Sequence, residues 1–175
     1  MARSKSFLSI KFDNKELRKL KKEINKIKTY HNEWGWINKA KYTALDHNGR
    51  KGTYVAEIAF RNEYGDVVEG SNGEPIMIPA RPYFFHSINE AVKLNQIMIP
   101  QVFTALLHNQ DWLPVLKDTA RESRNTLTHE IEQQDQLPLA PKTVKVKHSS
   151  YQWDDTGVMI GNITYTTTKA KIKDD

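Results

Sequence analysis

At 175 residues, with 38% apolar residues and no cysteine, the chain suits one domain with a modest core, and disulfides, thiolate chemistry and cysteine-ligated zinc are excluded. No apolar run is long enough to span a bilayer, and the first residues, MARSKSFLSIKFD, carry no apolar signal core, so the expected setting is the cytoplasm or a particle assembled there. The net charge of +5 is unevenly placed: residues 1–52 hold 14 Lys/Arg against 5 Asp/Glu, residues 53–138 hold 6 against 12, and the remainder 6 against 4. A basic front and an acidic middle suit either nucleic acid or copies that meet head-to-tail, basic face on acidic face.

Residues 7–12, FLSIKF, alternate apolar and polar side chains and predict a half-buried strand. Asp13 and Glu16 have the spacing of a capping box, and Leu17, Leu20, Ile24 and Ile27 then form one apolar stripe on a helix whose other faces are mostly lysine. Residues 34–42 predict an aromatic-rich strand, and HNGRKG (47–52) a turn. Residues 53–65, TYVAEIAFRNEYG, fit a short helix that Gly65 would stop, though strand and helix patterns compete there. DVVEGSNGEP (66–75) is expected to be an exposed loop, and IMIP (76–79) a short strand limited by Pro79.

A helix is expected over residues 83–109, with Ser87 and Glu90 offering a second start and Pro100 expected to kink or divide it. Asp111 is the expected cap of a further helix to about residue 134, with Leu113, Leu116, Ala120, Leu127 and Ile131 on its inner face. QLPLAP (136–141) ends it. TVKVK (143–147) and VMIGNITYTTT (158–168) read as strands, and residues 169–175 as a flexible tail behind a single domain over 1–168. The sum is an α+β fold: a mainly antiparallel sheet of four to five strands, packed by one N-terminal helix and two long central helices.

Little in the chain points to chemistry. No two of His31, His47, His86, His108, His129 and His148 have the spacing of a helical metal site. Asp154-Asp155 read first as a turn before Gly157, and only second as a metal-binding hydrolytic pair. No nucleophile elbow, phosphate-binding loop or zinc-protease motif is present. No enzyme activity, cofactor or metal is therefore expected. The lysines of the first helix, Lys19, Lys22 and Lys26 among them, offer a contact for a polyanion such as duplex DNA, with a solvated helix face as the plainer alternative.

The segment Ile-Pro-Ala-Arg-Pro-Tyr-Phe-Phe (78–85) is the most ordered phrase in the sequence. Pro79 and Pro82 stiffen the backbone on either side of Ala80-Arg81. Arg81 then stands as a forked donor for a carboxylate or a carbonyl, followed by Tyr83, Phe84 and Phe85. Arginine and aromatics on a stiff support suit a contact surface. A loop-to-helix junction whose aromatics fill the core is the equal alternative.

The order of these parts resembles that of the neck or tail-completion proteins of tailed bacteriophages, which act between head connector and tail tube. The matching pieces are Gly35-Trp36, Ala40-Lys41-Tyr42, Val55-Ala56-Glu57-Ile58-Ala59, Asn62-Glu63-Tyr64-Gly65 and Ile78-Pro79-Ala80-Arg81-Pro82-Tyr83. Later come Pro138-Leu139-Ala140-Pro141-Lys142-Thr143, then Lys145 or Lys147, and Asp154-Asp155-Thr156-Gly157. The 66–75 loop is longer than the family pattern, and the leucine usual before the Asp-Thr-Gly is missing. The resemblance implies a non-enzymatic structural protein of the virion, a homo-oligomeric ring at the head–tail junction with genomic DNA passing its lumen. It also implies contacts with adjoining connector, tail-terminator or tail-tube proteins. Glu63, Tyr64, Ile78, Arg81, Tyr83, Phe84 and Phe85 are then expected at the interface between subunits or with those partners.

Overall fold

A computed structural model describes residues 14–43, 51–69, 72–133, 136–148, 150 and 157–170. In chain order these form α1 (Asn14–Ile27), β1 (Tyr30–Gly35), α2 (Val55–Tyr64), β2 (Asp66–Glu69), β3 (Pro75–Ile78) and α3 (Tyr83–Leu107). They continue with α4 (Leu113–Gln133), α5 (Pro141–Lys147), α6 (Val158–Gly161) and β4 (Thr164–Lys169). The fold is α+β, but the expected four- to five-stranded sheet is not formed among the described residues. The described residues hold six helices and two separate two-stranded antiparallel sheets, β1–β4 and β2–β3.

Each missing strand has a local cause. The strand expected over 34–42 stops at Gly35, whose φ of +117° turns the chain away; an added Cβ there would stand 3.1 Å from the Phe84 ring. Trp36 then leaves the strand path and donates its indole N–H to the Met159 carbonyl at 2.8 Å. TVKVK is helical: Pro141 sits at the first helical position, where its missing N–H costs nothing, and Val144 N–H reaches Ala140 O at 3.0 Å. Val158–Gly161 is a single helical turn, and only the remainder of that predicted strand becomes β4. Residues 66–75, expected as a loop, supply β2 and part of β3. The FLSIKF strand, the Asp13 cap, most of the 47–52 turn and Asp154-Asp155 lie outside the described residues.

The three predicted long helices are present. Pro100 lies within α3 without dividing it. Pro100 and Gln96, whose carbonyl loses its helical donor to the proline, are both solvent-exposed, so water can serve that carbonyl. Ser87 does not start the helix; it is buried, and its hydroxyl donates to Phe84 O at 2.7 Å. Asp111 Oδ1 accepts the Leu113 N–H at 3.1 Å at the head of α4. Small buried side chains, Ser87 and Ala91 on α3 and Ala120 and Ser123 on α4, permit the close approach of these two helices, and Thr126 Oγ1 lies 3.2 Å from the Ser87 carbonyl.

Two apolar clusters result. Tyr42, Val55, Ala59, Tyr83, Leu127, Ile131, Met159 and Ile163 form one, flanked by Trp34, Trp36 and Phe84. Val102, Ala105, Leu106, Trp112 and Leu116 form the other, which the α1 stripe closes with Leu20, Ile24 and Ile27. The β1–β4 ribbon lies against α4, where Asn32 donates to Leu116 O at 3.0 Å and accepts from Thr167 Oγ1 at 2.7 Å. β4 runs through Lys169, and the Ala170 N–H bonds to Thr29 O.

Gly65 ends α2 with φ +77° and ψ 166°, a conformation open to little but glycine. A Cβ at this position would meet Ile78 O at 2.8 Å and Ala80 N at 3.1 Å, both main-chain atoms. Gly65→Ala should therefore destabilise the fold by about 3 kcal/mol, from backbone strain and overpacking together. Urea denaturation reads this directly; a loss under about 1 kcal/mol would show that the turn can relax.

Candidate functional site

The stretch that stood out in the sequence folds into one junction. Asn62 and Glu63 on α2, the Pro79–Pro82 connection, the first turn of α3, and Leu137–Pro138 after α4 are tied together by polar bonds. The Arg81 N–H donates to Asn62 O at 2.8 Å. Its side chain is buried, with 3% of the residue exposed. Nε donates to Leu137 O at 2.9 Å, while Nη2 and Nη1 lie 3.4 Å from Pro138 O and Pro79 O. Burial lowers the guanidinium pKa from its ordinary value, with the Tyr83 charge opposing.

Glu63 is buried on the other side of the same junction. The first turn of α3 exposes unpaired N–H groups, and Pro82 at its cap position makes no side-chain bond to them. Glu63 supplies the acceptors from a different helix: Oε2 takes the Phe84 N–H at 2.9 Å and Oε1 the Phe85 N–H at 2.8 Å. Burial raises its pKa above the usual carboxylate value, outweighing the two N–H donors and nearby His86.

The expected site residues thus divide. Arg81, Tyr83 and Glu63 are interior, which corrects the picture of an arginine held outward by its prolines. The Arg81 side chain is directed to the carbonyls of Leu137 and Pro138. Ile78 and Phe84 are partly buried, and Phe84 packs on Trp34 with ring centroids 5.3 Å apart. Tyr64 and Phe85 are exposed. Tyr64 stacks on exposed Phe60, one helical turn earlier, at 4.7 Å.

Sequence reasoning missed an exposed apolar feature that follows α2 in the chain. β2 and β3 form a hairpin in which Val67 faces Met77 across the strands, and both are exposed, Met77 by 79%. The hairpin carries Asp66, Glu69 and Glu74 and no basic residue. The available signal was the pair of short β-branched and apolar runs, Val67-Val68 and Ile76-Met77-Ile78, on either side of a glycine-bearing turn.

The candidate polyanion contacts are all exposed on α1. Lys19 donates to Asn109 Oδ1 at 2.8 Å, and Lys26 pairs with Glu23 at 3.7 Å while standing over the Trp112 ring. Lys19 and Lys26 line a cleft of about 460 Å³ between α1 and the corner joining α3 to α4. A second cleft, about 470 Å³, lies between β1 and α3 and is lined by Trp34, Ile37, Phe84, Ile88 and Val92. No group of three His, Asp or Glu stands where it could hold a metal ion among the described residues. No helix among them is long and apolar enough to cross a membrane. The chain matches no protein-family model, no curated protein and no solved structure.

The raised pKa of Glu63 has a definite consequence for stability. The folded state holds this proton more tightly than the unfolded chain, so the contribution of Glu63 is full below the ordinary carboxylate range and is lost as pH rises through its raised value. Glu63→Gln should lower stability by about 1–3 kcal/mol, because one of the two N–H groups then faces an amide donor. It should also remove this downward component above the ordinary carboxylate range, so that the gap to wild type narrows as pH rises. Urea denaturation of both proteins across and above that range tests it, and parallel pH curves would refute the assignment.

Proposed function

We propose that this chain is a structural subunit of a tailed-bacteriophage virion, forming a homo-oligomeric ring at the neck or tail-completion position of the head–tail junction. One observation carries this reading beyond the order of sequence parts. The two phrases behind the resemblance, Ile78–Tyr83 and Pro138–Thr143, meet where Arg81 Nη2 lies 3.4 Å from Pro138 O, with Nε bonded to the preceding Leu137. Their contact supports reading them together.

A ring needs two different patches on each subunit. The exposed Phe60–Tyr64 pair on α2 and the exposed Val67–Met77 pair on the hairpin that follows it support one of them. They replace Arg81 and Tyr83 in the expected interface. Isolated two-stranded hairpins are weakly stable, and one with apolar faces gains by docking on a partner. The acidic hairpin and the basic α1 give opposite signs to two parts of the subunit, which favours head-to-tail contact. In such a ring the α1 lysines would be available to DNA in the lumen, and in its absence they support a sequence-independent DNA-binding module as the second reading.

Native mass spectrometry and negative-stain imaging of the protein mixed with the tail-tube and connector proteins of the same particle test the proposal. Rings or capped tubes are expected, and Tyr64→Asp with Met77→Asp should abolish them while leaving the circular dichroism of the subunit intact. A subunit that never joins tails, or rings indifferent to both substitutions, would count against it.

A further inference from the structure

Charge on α1 is segregated by face. At about 100° per residue, Lys15, Arg18, Lys21, Lys22 and Lys28 fall within one arc of about 140°, broken only by Asn14 and Asn25. Lys28 lies just past the helix end, but its N–H still reaches Ile24 O at 3.2 Å and keeps the helical phase. All five cations are exposed. Both acids of the helix, Glu16 and Glu23, stand off this arc, in the wall of the cleft that holds Trp112. Lys19 and Lys26 line the same cleft, engaged by Asn109 and Glu23. Arg18, Lys21, Lys22 and Lys28 make no hydrogen bond or ion pair with any described residue. Like charges one turn apart, such as Arg18 and Lys22, oppose the helix that carries them, and nothing on their own face of α1 offsets this.

We propose that this arc seats the phosphate backbone of duplex DNA, holding it by charge without reading its sequence. The proposal deepens the DNA-binding reading of α1 and does not depend on the ring. Length fits: Lys15 to Lys28 spans about 20 Å, and that length of duplex axis carries about six phosphates on each strand. Composition fits as well. The arc contains no aromatic side chain, so it offers phosphate contacts and no platform on which single-stranded bases could stack.

The acidic hairpin of a second copy matches the arc less well. Of its Asp66, Glu69 and Glu74, Asp66 already pairs with Arg61 at 3.0 Å, leaving two carboxylates against five cations. A duplex presents a continuous row of charge instead. The contacts are thereby reassigned. The sequence pointed to Lys19, Lys22 and Lys26; Lys22 stays, and Arg18, Lys21 and Lys28 join it in place of the two lysines held at the cleft.

Fluorescence anisotropy of the full-length protein with a labelled DNA duplex tests this. Release of about four counterions should weaken binding about 100-fold between about 50 and about 200 mM salt, alike for duplexes of unrelated sequence. Arg18→Gln with Lys22→Gln should weaken binding about tenfold at the lower salt and reduce the slope of log affinity against log salt by about two. Lys93→Gln with Lys142→Gln removes the same charge from α3 and α5 and should change affinity less than about twofold. All four replaced side chains are exposed, so both variants should keep the circular dichroism of the wild type. No binding at the lower salt, a flat salt response, or equal losses in the two variants each overturns the proposal; the last would mean that net charge alone attracts the duplex. Failure here is distinct from failure of the ring. Rings that form from a subunit without DNA affinity sink only this proposal, and DNA affinity in a subunit that never joins tails sinks only the ring.

Discussion

The guanidinium of Arg81 is the constraint on which the junction of this fold depends. A buried cation loses its hydration, and the loss is tolerable only where fixed acceptors replace water. Here the acceptors are main-chain carbonyls of Leu137, Pro138 and Pro79, reached by a planar fork that a lysine could not reproduce. The bonds to Leu137 and Pro138 join segments more than fifty residues apart. The Arg81 backbone binds Asn62, and Glu63 next to it caps α3 through Phe84 and Phe85. One arginine and one glutamate thus set how α2, α3 and the chain after α4 meet. The β2–β3 hairpin adjoins this junction, β2 following α2 and β3 leading into Pro79, but the bonds of Arg81 and Glu63 go to residues outside both small sheets.

This arrangement inverts the usual division between inside and outside for several residues. Glu63 and Arg81 are enclosed, while Phe60, Tyr64, Met77 and Phe85 face outward. The interior polar groups fix geometry, and the exterior apolar groups are left for docking. Proline contributes to both. It stiffens the approach to Arg81 from Pro79, and it ends that approach at Pro82 without a cap of its own, so Glu63 is needed from outside the helix.

Helices were legible in the sequence because their signals are local. The α1 stripe, the stop at Gly65 and the Asp111 cap each act within a few residues. The sheet was not legible, because alternation is an ambiguous signal in short segments. Val144 and Val146 alternate with lysines, yet Pro141 had already set a helical start. Val67-Val68 and Ile76-Met77-Ile78 do not alternate, yet they pair across a turn. For the candidate site, the sequence picked out the right phrase and the right kind of partner for Arg81, a carbonyl among them. Its direction could not be read, because the carbonyls at 137 and 138 are brought there only by the return of α4. The exposed hairpin escaped notice for the same reason: exposure depends on what fails to pack on it.

Hydrogen exchange at Leu137, Leu139 and Ala140 in wild type and Arg81→Lys tests the internal clamp most directly. If the fork holds this segment, exchange there should rise by at least an order of magnitude in Arg81→Lys, ahead of any change in the core amides of α4. Unchanged exchange at 137–140, with assembly into rings lost instead, would show that Arg81 acts between subunits and would contradict the account.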